Sequence, residues 1–142
     1  MAPTTAVSWL GSYRYDPAEH LPETLPQVDF EMEITWRWFG RFTGVIVESE
    51  DGVPEPAQIS GRLAGQRMRF TKMYRSFWII DQSGEIIRVP HQRPLVLCYK
   101  GELTDSNIRI AGRWSSGSET RIMNGQQLYL PEMSGTWEAR AK

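Results

Sequence analysis

The chain of 142 residues carries 16 Lys and Arg against 17 Asp and Glu, with one Cys, two His, twelve Gly and six Trp. Its length suits one domain spanning residues 1–142, burying about two-thirds of the surface the unfolded chain exposes. A net charge of -1 argues against a nucleic-acid binder that works by broad phosphate neutralisation; one Cys excludes an internal disulfide, and the Cys and His together are a poor zinc-ligand set.

The N-terminus, from Met1 to Gly11, has no basic start and no long apolar core, so it does not read as a secretory leader. No apolar run approaches the roughly 18 residues of a membrane-spanning helix, and with a lone thiol the expected compartment is cytoplasmic. Val7, Trp9, Gly11, Tyr13 and Tyr15 alternate with Ser8, Leu10, Ser12 and Arg14, which predicts a strand. The segment 16–27 holds Pro17, Pro22 and Pro26 and reads as a loop, with a short helical turn around Ala18 to Leu21. From Val28 to Trp38 the period is strictly two. Val28, Phe30, Met32, Ile34, Trp36 and Trp38 share a dry face, while Asp29, Glu31, Glu33, Thr35 and Arg37 share a wet one.

Met68, Phe70, Lys72 and Tyr74 form the next clear dry face. Phe77 to Val89 reads as a hairpin with arms apolar on both faces, so something must cover the second face. A loop of the same chain or a second subunit would serve, and the reading favours a homo-oligomer through Phe77–Val89. Leu95, Leu97, Tyr99, Gly101 and Leu103 alternate, as do Ile108, Ile110, Gly112 and Trp114. The stretch 115–132 is rich in Ser, Gly and Gln and includes an Asn124-Gly125 hairpin signal. Long connections of this kind serve as lids over a site or as plain surface loops. The count is about ten strands and no amphipathic helix, which predicts an all-β fold.

A glycine stands between two apolar residues on the same face in six strand-like settings, at Gly11, Gly44, Gly61, Gly101, Gly112 and Gly135. Mid-strand glycine weakens a strand, so the repetition needs a reason. Closing a small barrel supplies one, because an inward glycine permits the bend and makes room for a large ring opposite. The expected architecture is a single-domain antiparallel up-and-down β-barrel of about 8–10 strands. The repeated motif, ending in Ser134-Gly135-Thr136-Trp137-Glu138, resembles the glycine-tryptophan strands of avidin-like and other calycin barrels. It is also similar to small bacterial proteins with successive Ile-x-Gly and Tyr-x-Gly-x-Leu strands. The resemblance implies a barrel fold and a ligand-binding habit. It does not imply biotin, since the polar set that avidins use for it has no placement here.

Catalytic arrangements are scarce. His20 and His91 lie in proline-containing loops with no serine elbow, Cys98 alternates away from the dry face, and the glycines lie inside strands rather than in a phosphate loop. The chain is read as a non-enzyme without metal or cofactor. Lys72 is the odd residue, an ammonium on an inward face. It either snorkels at the barrel mouth, pairs with an inward tyrosine or carboxylate, or meets an anionic ligand; the mouth position is favoured. The ligand-binding set is read as Tyr13, Trp36, Phe70, Lys72, Tyr74 and Tyr99, with rings as walls and hydroxyls to orient a small apolar or weakly anionic molecule. Residues 62–75 are locally basic. The Asp29, Glu31 and Glu33 face is acidic, as is the stretch Glu48, Glu50 and Asp51, and these charges are expected to pair across neighbouring strands, leaving no nucleic-acid or membrane surface. The expected function is non-catalytic binding of a small ligand in the barrel or its mouth. The alternative is a structural or interaction domain with a filled interior that uses the 77–89 hairpin as its surface.

Overall fold

The structure is a computed structural model that describes residues 6–104 and 106–142. The first five residues of the N-terminal segment read for a leader, and Asp105, lie outside the described residues. Eight antiparallel strands close into one barrel: β1 (Ala6–Tyr15), β2 (Val28–Trp36), β3 (Arg41–Glu48), β4 (Ala57–Ala64), β5 (Arg67–Tyr74), β8 (Val96–Thr104), β9 (Arg109–Ser115) and β12 (Ser134–Ala141). Each pairs with the next barrel strand along the chain, and β12 returns to pair with β1, so the topology is up-and-down. Two short hairpins are inserted. The first is β6 (Phe77–Ile80) with β7 (Ile86–Val89); the second is β10 (Glu119–Met123) with β11 (Gln126–Leu130). Asn124 and Gly125 turn the second hairpin with positive φ at both positions, the geometry an Asn-Gly pair favours. Among the described residues no helix is long and apolar enough to cross a membrane.

The two ends of the barrel differ. Tight turns at 37–40 and 65–66, and the short connection from β8 to β9, close one end. At the other end stand the four long connections, 16–27, 49–56, 75–95 and 116–133, the last two carrying the inserted hairpins. Segment 16–27 has no helix; a single turn bond runs from the Leu21 N–H to the Ala18 carbonyl at 3.1 Å.

Period two decides which side chains fill the barrel. On β2, Val28, Phe30, Met32 and Ile34 are buried, and on β5 Met68, Phe70, Lys72 and Tyr74 are. Phe70 stacks on Tyr99 with centroids 4.8 Å apart, and Trp137 meets both edge-on at 5.5 Å. The inward glycines make this packing fit, and none of the six has positive φ. At Gly101 an added Cβ would lie 2.8 Å from the Trp137 indole, and at Gly135 it would lie 2.6 Å from the Trp114 indole nitrogen. Each missing side chain is the space a tryptophan occupies.

Three expectations are corrected by the structure. Trp38 does not extend the dry face of β2: the strand ends at Trp36, and a 3₁₀ turn at Trp38–Gly40 leaves Trp38 55% and Phe39 85% exposed. Ile108 precedes β9 and is half exposed. The acidic face of β2 does not pair with the basic strands. Asp29, Glu31 and Glu33 of β2 stand opposite Ser12, Leu10 and Ser8 of β1, while Arg62 of β4 and Arg69 of β5 face other cations and Arg67 of β5 stands opposite Glu102 of β8.

Replacing Gly101 with Val should drive a branched side chain into the Trp137 ring and lower the unfolding free energy by about 1–3 kcal/mol. Urea denaturation followed by tryptophan emission measures this, and an unchanged midpoint would show that the glycine is not holding space for the ring.

Candidate functional site

Four ring-bearing or charged side chains converge below the long-loop end of the barrel. Tyr13 comes from near the end of β1, Lys72 and Tyr74 from the end of β5, and Tyr99 from near the start of β8. A fifth member, Glu48, is the last residue of β3. Sequence reading placed Glu48 in a wet acidic stretch with Glu50 and Asp51, and that is corrected: its side chain is fully buried, and Lys72 Nζ lies 2.7 Å from its Oε2. The signal was present in the register. Phe42, Gly44 and Ile46 point inward, and two residues further along the same face stands Glu48. The favoured mouth position for Lys72 is corrected as well, since the side chain is 1% exposed and ion-paired rather than snorkelling. The weighed alternative, pairing with an inward carboxylate and tyrosine, is what the structure contains.

Glu48 is saturated. Its Oε1 accepts from the Tyr13 hydroxyl at 2.6 Å and from the Val53 N–H at 3.0 Å; its Oε2 accepts from Lys72 and from the Tyr74 hydroxyl. Lys72 also donates to the Tyr99 hydroxyl at 3.3 Å, and its ammonium lies 4.7–5.4 Å from the ring centroids of Tyr13, Tyr74 and Tyr99. An isolated buried charge would cost several kcal/mol, so these contacts are what allow both ions to persist. Burial alone would raise the Glu48 pKa, but the Lys72 charge and the bonds from Lys72, Tyr13 and Tyr74 reverse this, and the carboxyl titrates below its ordinary range. Burial works against the Lys72 charge too, yet Tyr74 and Glu48 hold its pKa above the ordinary value. Burial pushes the Tyr13, Tyr74 and Tyr99 hydroxyls well above theirs.

Above this cluster lies a cavity of about 50 Å³, room for a few waters at about 10–15 Å³ each. Tyr13, Lys72, Tyr74 and Tyr99 form its polar side; the β6–β7 hairpin roofs it with Trp78, Ile80 and Ile86. The apolar hairpin is thus covered on one face by the barrel mouth of its own chain. Glu55, from the 49–56 connection, pins the hairpin. It accepts from the Trp78 indole N–H at 2.8 Å, from the Ser76 N–H at 2.7 Å and from the Ser76 hydroxyl at 3.2 Å. On the far side, the buried Arg121 of β10 packs its guanidinium over the Phe77 ring at 4.4 Å and donates to the Arg93 and Pro94 carbonyls, joining the two inserted hairpins.

The other two residues read as ligand contacts stand elsewhere. Phe70 lies deeper, inside the ring stack, and Trp36 packs edge-on against Phe42 at the tight-turn end. Neither lines the cavity. Cys98 is exposed on the outer face.

Comparison with known proteins leaves the site to be read from its own geometry: no family model, no curated protein and no solved structure matches this chain. The structure shows a closed antiparallel eight-stranded barrel, and no relative ties it to the avidin-like or calycin proteins.

Removing one ion should cost more than removing both. Lys72→Met leaves a buried carboxylate without its cation, and Glu48→Leu leaves a buried ammonium; each should destabilise by about 3–5 kcal/mol. The double variant should recover most of that loss in equilibrium denaturation. A double variant as unstable as the sum of the two singles would refute the coupling.

The pH dependence follows from the directions of the shifts. A lowered Glu48 pKa contributes stability that is present above the unfolded value of about 4.3 and is lost as pH falls through the folded value. Raised Lys72 and tyrosine pKa values contribute stability that is present below about 10 and lost as pH rises through the folded values. Thermal midpoints should therefore plateau between about pH 5 and pH 10 and fall on both sides. A spectrophotometric titration should find Tyr13, Tyr74 and Tyr99 un-ionised until the alkaline unfolding step.

Proposed function

We propose that the long-loop end of the barrel binds a small, largely apolar molecule bearing one hydrogen-bond acceptor, with the β6–β7 hairpin as its cover. The observation that carries this reading is the pairing of an apolar roof with a buried polar floor whose donors are not all used. Glu48 has spent its acceptors and Lys72 reaches Glu48, Tyr99 and Tyr74, but the Tyr99 O–H has no acceptor among the described residues. Tyr99 lines the cavity beside the Lys72 ammonium, so an acceptor such as a carbonyl or carboxylate oxygen is the complementary group. Trp78, Ile80 and Ile86 would take its apolar part.

The ring-filled lower barrel leaves the mouth as the place for a ligand. A cavity of about 50 Å³ is well short of the roughly 300–1,000 Å³ of ordinary ligand sites, so binding requires the hairpin to swing outward. The hairpin pairs only with itself and shares no ladder with the barrel, and its tethers are the Glu55 bonds and the Arg121 guanidinium over Phe77. The same small volume favours a second reading, in which the interior is simply filled and the polar cluster is architectural.

Native mass spectrometry of freshly purified protein should detect a co-purified small molecule. Glu55→Ala should loosen the cover, raising hydrogen exchange in residues 77–89 and speeding the uptake of 1-naphthol, followed by tryptophan emission. Protein that carries no ligand and takes up no 1-naphthol in either form would leave the filled-interior reading standing.

A further inference from the structure

The cations of the outer wall form a line. Arg41 of β3 stands directly opposite Arg62 of β4, Arg62 opposite Arg69 of β5, Arg69 opposite Lys100 of β8, and Lys100 opposite Arg113 of β9. All five are exposed. Like charges directly opposite one another destabilise a sheet, so this row works against the fold. Arg113 is ion-paired with Asp16, but among the described residues no carboxylate lies within 4.0 Å of Arg41, Arg62, Arg69 or Lys100. A net charge of -1 conceals the row, because the acidic face of β2 lies across the barrel from β8.

A second feature adjoins the row. The turn leading into Arg41 reads Arg37-Trp38-Phe39-Gly40, and both rings face solvent, Phe39 at 85% exposure. Phe39 has φ 59 and ψ 37, a left-handed backbone that a bulky residue adopts only at a cost. The chain thus holds an aromatic ring out in water, in an unfavourable conformation, at the head of a line of unpaired cations.

We propose that this surface binds single-stranded nucleic acid, with the cations following the phosphates and Trp38 and Phe39 stacking on bases at one end. Positive grooves combined with exposed rings are how folds of this size hold single strands without reading sequence. Curvature selects the class of partner. The row crosses four of the eight steps around the barrel, about 19 Å at 4.8 Å per strand, and so turns through half the circumference. A flat bilayer or a stiff duplex would touch only part of such a row, whereas a flexible strand follows it. The site is separate from the barrel mouth and does not rest on the ligand reading above.

The test is fluorescence anisotropy of the full chain with a labelled oligothymidylate of about 20 nucleotides, longer than the roughly 4–16 that comparable sites cover. Between about 50 and 200 mM salt, four unpaired cations should give a log–log slope of about -3, at about -0.7 per phosphate. The triple variant Arg62→Gln, Arg69→Gln, Lys100→Gln should reduce the slope by about 2. Its thermal midpoint should hold or rise, since the like charges are gone, so lost binding will not reflect lost fold. Trp38→Ala should weaken binding on the order of tenfold with the slope unchanged. Absence of binding at about 50 mM salt, equal affinity for a duplex, preference for anionic vesicles over the oligonucleotide, or a triple variant that binds like the parent would each overturn the proposal.

Discussion

The ion pair between Glu48 and Lys72 organises the upper half of this barrel. It joins β3 to β5 across the intervening β4, and the tyrosines that complete it come from β1, β5 and β8. The pair therefore ties together four of the eight strands, and through the Val53 N–H Glu48 also holds the connection that carries Glu55. Buried ion pairs are rarely the most stable way to fill a volume, and an apolar replacement packs as well or better. What the pair imposes is uniqueness. Each of these strands must arrive in one register or a charge is left unpartnered in the interior.

The barrel was legible because its information is local. Period two on β2 and β5, and the glycines spaced between apolar residues, are visible within windows of five to eleven residues. The same locality explains what was misread. Glu48 looks like surface when counted with Glu50 and Asp51, because its partner Lys72 is 24 residues away and meets it only through β3, β4 and β5 together. Trp38 continues the alternation of β2 on paper, but the Phe39-Gly40 turn ends the strand first. The charge of neighbouring strands was misjudged for a related reason. Composition offers totals, whereas register decides which charges face one another, and here register set cation against cation. Four of the six side chains read as a site do share one cavity; Trp36 and Phe70 share only their inward parity with them.

The molecule divides its labour by end and by wall. Tight turns and stacked rings make the lower barrel rigid, and long connections with two self-paired hairpins crown the other end. Arg121 and Glu55 are small anchors that fix those hairpins to each other and to the mouth without joining them to the barrel ladder. An element held by a few side-chain bonds opens more easily than one held by a strand ladder, and this is where motion compatible with binding belongs.

The pairing of β12 with β1 has a consequence for how the molecule is made. The first barrel strand to leave the ribosome waits for the last before it has both of its neighbours. Until residues 134–141 are available, β1 and β9 each present an open edge, and open edges recruit other strands. Closure is thus a late step with a long loop to draw in, the kind that slows folding. During synthesis the nascent barrel depends on its outward-facing charges, among them the acids of β2 beside β1, to keep those edges apart from one another.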